Sequence, residues 1–315
     1  MKARVAHRGD ALARRVLCHD VGRAFRKGHT IRAEDVPALE ALPWDELHLL
    51  ELEDDVGQRE AGQQLAAALC SEGLQALPSG HRHVLKALHD GLVKIDVAAL
   101  QRMNSVPGIA VYTMHDGAVA AQGRIVAEAQ ITGLAIERAV LDGVEGAGVI
   151  RLLPFAPRDV VVWMRDESHI GALETKLRGF GCSVTETLPL QGDAAAIRAS
   201  LEQAASPLPA ARGEGGRRPG EGLLFLVSGS NALDPLDPVF AALNAMGATM
   251  QRVGLPVHPG TLLWIAAWRS IDIIGLPTCG LGTQRTAFDL ILPRLLAEGA
   301  VRDEELAALG HGGIL

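Results

Sequence analysis

The stretch LLFLVSGSNALDPLDP (residues 223–238) joins an apolar run to a helix start through a polar turn. The run LLFLV is typical of a strand in a parallel sheet that is covered on both faces. The small and polar residues after it end the strand. Asp237 followed by Pro238 indicates the start of a helix, because a carboxylate caps the first turn and proline is tolerated at its first position.

The order of strand, turn and helix repeats on both sides of this stretch. Strands are predicted at residues 159–164 (DVVVWM), 183–187, 223–227 and 271–274, and helices over residues 170–180, 193–205, 238–246 and 286–296. Strands that alternate with helices predict an α/β domain with three layers, α/β/α, around a mostly parallel sheet. Ligands of such sheets bind at the carboxyl ends of the strands, so we expect a site at that edge.

The first half of the chain lacks this alternation. The pattern in this half predicts helices over residues 10–17, 35–42 and 58–70 and a strand at 47–53. It also predicts a hairpin within residues 109–131 that turns at Asp116-Gly117. The length of 315 residues is about twice that of an average domain, which favours two domains. We therefore predict a smaller α+β domain over residues 1–155 and the α/β domain over residues 156–315.

Composition excludes several classes of protein. Hydrophobic residues make up 48% of the chain, which excludes a disordered protein, and the net charge of −7 argues against binding to nucleic acid. The spacing of the cysteines, which includes no C-x-x-C pair, indicates free thiols in a reducing compartment. The four cysteines are Cys18, Cys70, Cys182 and Cys279. No apolar run approaches the ~20 residues that span a bilayer, and no apolar leader is present. We therefore expect a cytoplasmic protein without a membrane segment.

Standard catalytic fingerprints are absent from the sequence. It contains no G-x-x-x-x-G-K-[ST], G-x-G-x-x-G, G-x-S-x-G or H-E-x-x-H motif, which disfavours ATPases, dinucleotide-dependent dehydrogenases and zinc proteases. Candidate contacts must therefore come from the turns at the predicted carboxyl edge.

The turn after the strand at 223–227 is the first candidate. Its small residues and hydroxyls, together with the helix that follows, are typical of a phosphate cradle: Ser228, Gly229, Ser230 and Asn231. Asp234 and Asp237 supply carboxylates. Asp237 has an alternative interpretation as a helix cap alone, whereas capping does not require Asp234.

Three further turns are predicted to reach the same edge. The turn after the strand at 271–274 would wrap a ligand closely through Pro277, Thr278, Cys279 and Gly280. The Cys279 thiol is interpreted as inert and buried, with a nucleophile as the alternative. Asp166 and Glu167 follow the strand at 159–164. Pro259 and Gly260 shape a rigid turn between the two glycine-containing loops. The stretch over residues 206–222 predicts a surface loop, with an anion-binding flap as the alternative.

These turns, in this order, resemble the molybdopterin-binding domain shared by molybdopterin adenylyltransferases and molybdopterin molybdotransferases. The family's GGxSxGxxD-like turn corresponds to residues 228–234, with Ser228 and Leu233 in place of two glycines, and its PG[NC] turn to residues 277–279. A molybdotransferase-like subgroup has EDDV…EAA, V-x-PG-x-LL and GHGG-L patterns, which are similar to residues 53–61, 257–263 and 310–315.

The resemblance implies binding of molybdopterin or its adenylate, with Ser228 to Asn231 at the phosphate. Asp234 would accept hydrogen bonds from the pterin's 2-amino and N3–H groups. Asp234 and Asp237 are then the catalytic candidates, and Asp234 is the candidate ligand of Mg²⁺. The edge positions that complete the cofactor-binding set are Asp166, Glu167, Pro259, Gly260, Pro277, Thr278, Cys279 and Gly280.

The resemblance also implies partners and leaves three functions open. A homo-oligomer is expected, with a separate nucleotidyltransferase or a molybdoenzyme as its partner. The chain would be a molybdenum cofactor biosynthesis protein that assists molybdate insertion. The alternatives are a non-catalytic carrier or sensor of the cofactor, and an enzyme that processes another nucleotide on the same fold.

Overall fold

The computed structural model describes residues 1–206, 222–230 and 232–315. The chain divides into two compact units, Met1–Pro154 and Phe155–Leu315. Unit 1 has 154 residues and unit 2 has 161. Residues 207–221 of the predicted loop lie outside the described residues, and so does Asn231.

Unit 1 is a mixed α/β unit whose sheets are antiparallel. Its strands are β1 (Lys2–Ala6), β2 (Val16–Leu17), β3 (Leu47–Glu51), β4 (Asp55–Gly57), β5 (Leu74–Ser79), β6 (Arg82–Ala87), β7 (Gly91–Ile95), β8 (Ile109–Thr113), β9 (Val119–Ala120), β10 (Ile125–Ile131), β11 (Ala135–Glu137) and β12 (Ile150–Pro154), and its helices are α1 (Val36–Glu40), α2 (Gln58–Leu69), α3 (Val97–Asn104) and α4 (Arg138–Asp142). The sheets have the strand orders β1-β3-β2, β5-β6-β10-β8, β11-β4 and β12-β7-β9.

The helix predicted over residues 10–17 is absent, and that prediction is wrong. Residues 10–15 form turns and irregular backbone, with Arg14 in the left-handed region at φ 67°, and β2 follows at Val16–Leu17. Leu12 and Leu17 are buried in the core beneath β1 and β3. The apolar spacing that suggested a helix therefore reflects burial of an irregular segment.

The hairpin predicted within residues 109–131 is right in its strands and wrong in its turn. β8 and β10 pair antiparallel, with Ile109 opposite Ile131. Asp116-Gly117, however, leads into β9, which pairs with β7 instead. The Asp116 side chain accepts a hydrogen bond from the backbone N–H of Ile95 at 2.8 Å, so the turn is held against a different sheet.

His83 on β6 is a buried titratable group in the core of unit 1. Only 6% of its surface is exposed, and its Nδ1 atom has no hydrogen-bond partner among the described residues. Burial, with a smaller contribution from the positive charge of Arg59, lowers the pKa of His83 below its ordinary value of 6.5. Protonation of His83 is therefore disfavoured in the folded chain.

A pH dependence of stability follows from His83. Below about pH 6.5 the unfolded chain binds a proton at this residue that the folded chain resists, so the free energy of unfolding should fall by up to about 1.4 kcal/mol per pH unit. We expect urea unfolding between about pH 7.5 and pH 5.5 to show this fall, and His83→Gln to flatten it. His81→Gln, at an exposed position two residues away, is the control and should leave the slope unchanged. Equal slopes in the wild type and His83→Gln would contradict the prediction.

Unit 2 follows the predicted alternation of strands and helices. Its described strands are β13 (Asp159–Met164), β14 (Ser183–Pro189), β15 (Leu224–Ser228), β16 (Thr249–Val253), β17 (Trp264–Trp268) and β18 (Ile271–Leu276), and its described helices are α5 (Ile170–Arg178), α6 (Ala194–Ala204), α7 (Pro238–Ala245), α8 (Ala287–Glu298) and α9 (Asp303–Ala308). The strands form one sheet in the order β14-β13-β15-β18-β17-β16.

Alternate side chains of these strands enter two separate cores, because successive residues of a strand point to opposite faces of the sheet. Val160 and Val162 of β13 pack with buried leucines, isoleucines and a phenylalanine from α5, α8 and α9. Val161 and Trp163 pack with α6 and α7. Helices therefore cover both faces of this sheet.

The sheet is mixed: three of its strand pairs are parallel and two are antiparallel. β14, β13, β15 and β18 are parallel to one another, whereas β17 pairs antiparallel with both β18 and β16. Arg269 and Ser270 alone connect β17 to β18, with Trp268 opposite Ile271. A connection of two residues closes a hairpin, and a parallel pair needs a much longer crossover.

No helix among the described residues is long and apolar enough to span a membrane. The four cysteines are all free thiols, as predicted. Cys182 is buried, and this burial raises the pKa of its thiol.

Candidate functional site

The carboxyl edge of the unit 2 sheet brings several predicted segments together. β13, β15 and β18 end in register, since Met164 lies beside Ser228 and Ser228 lies beside Leu276. The residues that follow these strands, Arg165, Gly229 and Pro277, therefore start from one line at the same edge. The site residues predicted after the three strands share this edge.

Gly229 makes the first bend of the turn that follows β15. Its φ of +80° lies in the left-handed region, where glycine is favoured because it lacks a Cβ atom. Its N–H donates to the carbonyl oxygen of Leu276 at 2.8 Å, which ties this turn to the end of β18. A Cβ at residue 229 would meet the aliphatic part of Arg165 at 3.5 Å, so the arginine side chain passes beside the bend.

The two serines of this turn are buried. Ser228 is 1% exposed and Ser230 is fully buried. The indole N–H of Trp264 donates to the Ser230 hydroxyl oxygen at 3.3 Å, and Trp264 is itself fully buried. The Ser230 hydroxyl therefore supports the turn from inside the domain.

Asp234 is exposed on the outer side of the same turn. Its Oδ1 atom accepts a hydrogen bond from the backbone N–H of Leu236 at 2.9 Å. Its Oδ2 atom accepts no hydrogen bond from the described residues. One carboxylate oxygen thus shapes the turn, and the other faces solvent.

Asp237 caps α7, in agreement with the interpretation of this residue as a helix cap. Its Oδ1 atom accepts a hydrogen bond from the backbone N–H of Val239 at 3.0 Å, and Pro238 occupies the first helical position. Nη2 of Arg165 lies 3.2 Å from Oδ1 and 3.1 Å from Oδ2. The charge of Asp237 is therefore shared between the helix N-terminus and an arginine.

Arg165 was missed at the sequence level. It is the first residue after β13, and 43% of its side chain is exposed. The position directly after an apolar strand was a usable signal, since Asp166 and Glu167 were selected on that ground. The ion pair could not be predicted, because its partner lies 72 residues further along the chain.

Asp166 and Glu167 lie beside Arg165, but local contacts hold the aspartate. Asp166 accepts hydrogen bonds from the backbone N–H and the hydroxyl of Ser168, each at 3.0 Å. These bonds lower the pKa of Asp166. Asp166 thus caps the short 3₁₀ turn Glu167–His169, and Glu167 is exposed to solvent.

Pro259 and Gly260 pack against the start of α8. The carbonyl oxygen of Pro259 accepts a hydrogen bond from the N–H of Ala287 at 2.9 Å. Gly260 has φ +109°, and a Cβ there would lie 2.7 Å from the Cβ of Ala287. This loop also reaches the first turn, because Ala232 donates its N–H to the carbonyl oxygen of Leu262 at 3.2 Å. We assign both residues to support of the edge.

The turn after β18 presents Thr278 and Cys279 to solvent, whereas Pro277 is buried. These two residues begin the short 3₁₀ turn Thr278–Gly280. The interpretation of Cys279 as a buried thiol is therefore wrong: strand β18 ends at Leu276, and the 3₁₀ turn carries the thiol outside the core.

The carboxylates of the edge differ in how well they suit a metal ion. No group of three or more histidine, cysteine, aspartate or glutamate side chains suitable for a metal occurs in the described part of the chain. Mg²⁺ is commonly held by one or two carboxylates together with phosphate oxygens of a ligand. The free Oδ2 of Asp234 fits that role, whereas Asp237 would have to leave Arg165.

Two surface grooves of about 610 and 620 Å³ lie in unit 1. In the first, Arg82 pairs with Glu128 at 2.6 Å, and Gln130 donates to the Tyr112 hydroxyl at 2.7 Å. These contacts pair the polar side chains, whereas the buried Nε atom of Arg82 has no hydrogen-bond partner among the described residues. The second groove lies between α3 and α4 and is lined mainly by aliphatic side chains. Neither groove contains any of the predicted site residues.

No family model matches the chain, and no curated protein does. Among solved structures, a molybdopterin biosynthesis MoeA protein from Pyrococcus horikosii is 12% identical, with a TM-score of 0.30, over 77% of this chain and 80% of that one. A molybdenum cofactor biosynthesis protein from Pyrococcus furiosus is 16% identical, with a TM-score of 0.26, over 78% and 71%. Both structures are of proteins named for the biosynthesis of this cofactor, at a similarity too low to carry an argument about this chain.

Proposed function

We propose that the carboxyl edge of the unit 2 sheet binds molybdopterin or its adenylate, and that the chain acts in molybdenum cofactor biosynthesis. The observation that carries the proposal is the convergence of the turns after β13, β15 and β18 at one edge, in register. These are the turns on which the resemblance to molybdopterin-binding domains rests. Sheets of this kind bind their ligands at that edge.

The proposed pose assigns a chemical role to each exposed group. The turn at Gly229 would receive the phosphate, and Asn231 belongs to the same turn by sequence. Asp234 would accept the parallel N–H donors of the pterin edge, because its Oδ2 is free and its Oδ1 can be shared. Trp264 is fully buried and offers no stacking face, so the ring would be held by its edges. Thr278 and Cys279 would line the other side.

Binding is better supported than catalysis. If an adenylate is handled, Asp234 would instead be the ligand of a Mg²⁺ ion, which would offset phosphate charge when bound. Asp237 is engaged by Arg165 and by the α7 N-terminus, so the candidate catalytic pair reduces to one free carboxylate. This observation favours the second candidate function, a carrier or sensor that binds the cofactor and leaves it chemically unchanged.

The biological setting of the proposal follows from the same resemblance. The chain would work in the cytoplasm as a homo-oligomer. It would exchange its ligand with a separate nucleotidyltransferase or a molybdoenzyme.

One incubation separates these functions. The protein is mixed with molybdopterin, ATP, Mg²⁺ and molybdate, and retained pterin fluorescence and AMP are measured after gel filtration. Retention with formation or release of AMP indicates an enzyme, and retention without turnover indicates the carrier. Absence of retained pterin would overturn the proposal, and the hypothesis of a nucleotide-processing enzyme would then be tested.

Asp234→Asn is the matching variant. We expect it to weaken pterin retention about tenfold or more, since it removes a charged acceptor and turns an amide toward the pterin donors. Asp303→Asn is the control, because Asp303 is an exposed helix-start carboxylate of the same unit, at the first position of α9. Equal retention by the two variants would contradict the role of Asp234.

A further inference from the structure

We propose that Arg165 is the anion-binding side chain of this edge, and that Asp237 occupies it until a phosphate monoester displaces the carboxylate. The inference rests on the proposed function and names the group that would hold the ligand's phosphate. Asp237 thereby acts as an internal competitor of the ligand.

The geometry of the pair is the first step. One nitrogen of Arg165, Nη2, lies nearly equidistant from both oxygens of Asp237, at 3.1 and 3.2 Å. Charge-assisted N–H···O bonds are usually 2.7–2.9 Å long, and strong arginine–carboxylate pairs use two nitrogens. Nε and Nη1 of Arg165 donate to no atom of the described residues. The guanidinium therefore keeps donors for a second anion.

The location of the guanidinium is the second step. The aliphatic part of Arg165 passes beside Gly229, at the first bend of the turn that would receive the phosphate. With 43% of its side chain exposed, Arg165 is accessible to a ligand, whereas Asp237 is only 14% exposed. An anion entering from solvent thus meets the arginine before it meets the carboxylate.

The surrounding charge is the third step. Asp166, Glu167, Asp234 and Asp237 all lie on the segments of this edge, and their charges oppose a phosphate dianion. Arg165 offsets that repulsion at the bend. Arg285, which is exposed in the loop before α8, is a second basic residue on these segments.

Asp237 can release the arginine without losing its own support. Its Oδ1 atom still accepts the N–H of Val239, so the α7 N-terminus continues to stabilise the carboxylate. A phosphate monoester carries more charge than a carboxylate and has three acceptor oxygens. When phosphate replaces the Asp237 carboxylate at Arg165, the arginine therefore gains a more highly charged acceptor. Asp237 keeps its hydrogen bond from the N–H of Val239.

The test is a titration of the full chain with inorganic phosphate at about pH 8, where phosphate is a dianion. Binding is measured by ³¹P line broadening or by calorimetry. Arg165→Gln should weaken phosphate binding about tenfold or more. Asp237→Asn should tighten it several-fold, because asparagine keeps the helix cap but no longer competes for the arginine. The double variant should bind as weakly as Arg165→Gln alone.

Controls use a surface pair of the same unit. Arg198, whose side chain is 45% exposed, forms an ion pair with Glu202 on α6, so Arg198→Gln and Glu202→Gln should leave phosphate binding unchanged. Arg285→Gln should weaken binding less than Arg165→Gln and should preserve the tightening by Asp237→Asn. Thermal unfolding of each variant confirms that it is folded.

The increase in affinity on loss of Asp237 is the deciding result. If Asp237→Asn weakens phosphate binding or leaves it unchanged in a folded chain, the competition does not exist and the inference is overturned. If Asp237→Asn does not tighten phosphate binding but the wild-type chain retains molybdopterin, the proposed function stands and only this inference fails. If the phosphate results are as expected but molybdopterin is not retained, the anion site stands and the proposed function fails.

Discussion

Gly275→Ala should lower the free energy of unfolding of unit 2 by about 3 kcal/mol or more, because the new methyl group has no space. A Cβ at residue 275 would lie 1.9 Å from Cε2 and 2.1 Å from Nε1 of Trp264. The indole cannot move aside easily, since it is fully buried, packs against Phe240 and donates to Ser230. Either the ring must leave its position or β17 must separate from β18.

The loss of stability in Gly275→Ala is measured by urea unfolding, with tryptophan fluorescence as the signal. Gly171→Ala is the control, because a Cβ there meets nothing within 4 Å and residue 171 lies inside α5. It should be neutral or slightly stabilising, as alanine favours a helix. Adding Trp264→Leu to Gly275→Ala should recover part of the loss. A loss below about 0.5 kcal/mol for Gly275→Ala would contradict the packing described for Trp264.

Arg158→Met should lower the free energy of unfolding by about 3 kcal/mol, because it leaves the charge of Asp272 without its partner. The side chain of Arg158 is 2% exposed and that of Asp272 is 19% exposed, and the two form an ion pair. Removal of one member of a buried pair exposes the other to an uncompensated desolvation penalty. The double variant Arg158→Met/Asp272→Leu should regain most of the stability.

Two comparisons make the Arg158 experiment specific. Arg198→Met removes an exposed ion pair of the same unit and should cost between about 0 and 1 kcal/mol. Arg158 lies before β13, at the opposite end of the strands from Arg165, so phosphate binding should persist in a folded Arg158→Met chain. If Arg158→Met costs no more than Arg198→Met, the pair is not the stabilising contact described here.

The central strands and helices of unit 2 were predictable because their signals are local. DVVVWM is apolar after Asp159 and forms β13, and LLFLV is apolar throughout and supplies all of β15 except Ser228. The helix predicted over residues 193–205 is α6, with Asp193 as its cap. In each case the residues that decide the conformation lie within the element, and tertiary contacts agree with them.

The elements that were missed carry no recognisable signal within their own residues. β16 is an edge strand with mostly exposed residues and no alternating pattern, and it exists because it pairs with β17. The hairpin between β17 and β18 turns at Arg269-Ser270, with Arg269 in the left-handed region at φ 55°. Asn-Gly or Asp-Gly would have signalled such a turn, and arginine does not.

By itself the sequence determined where the apolar strands end and which polar residues follow them, because both are properties of short segments. It thereby located the candidate edge and the cap at Asp237. Only the tertiary structure decided that the sheet is mixed, that Ser230 is buried beneath Trp264, and that Arg165 lies against Asp237. The last two outcomes depend on contacts between residues 34 and 72 positions apart, whose energies arise only when the chain has folded.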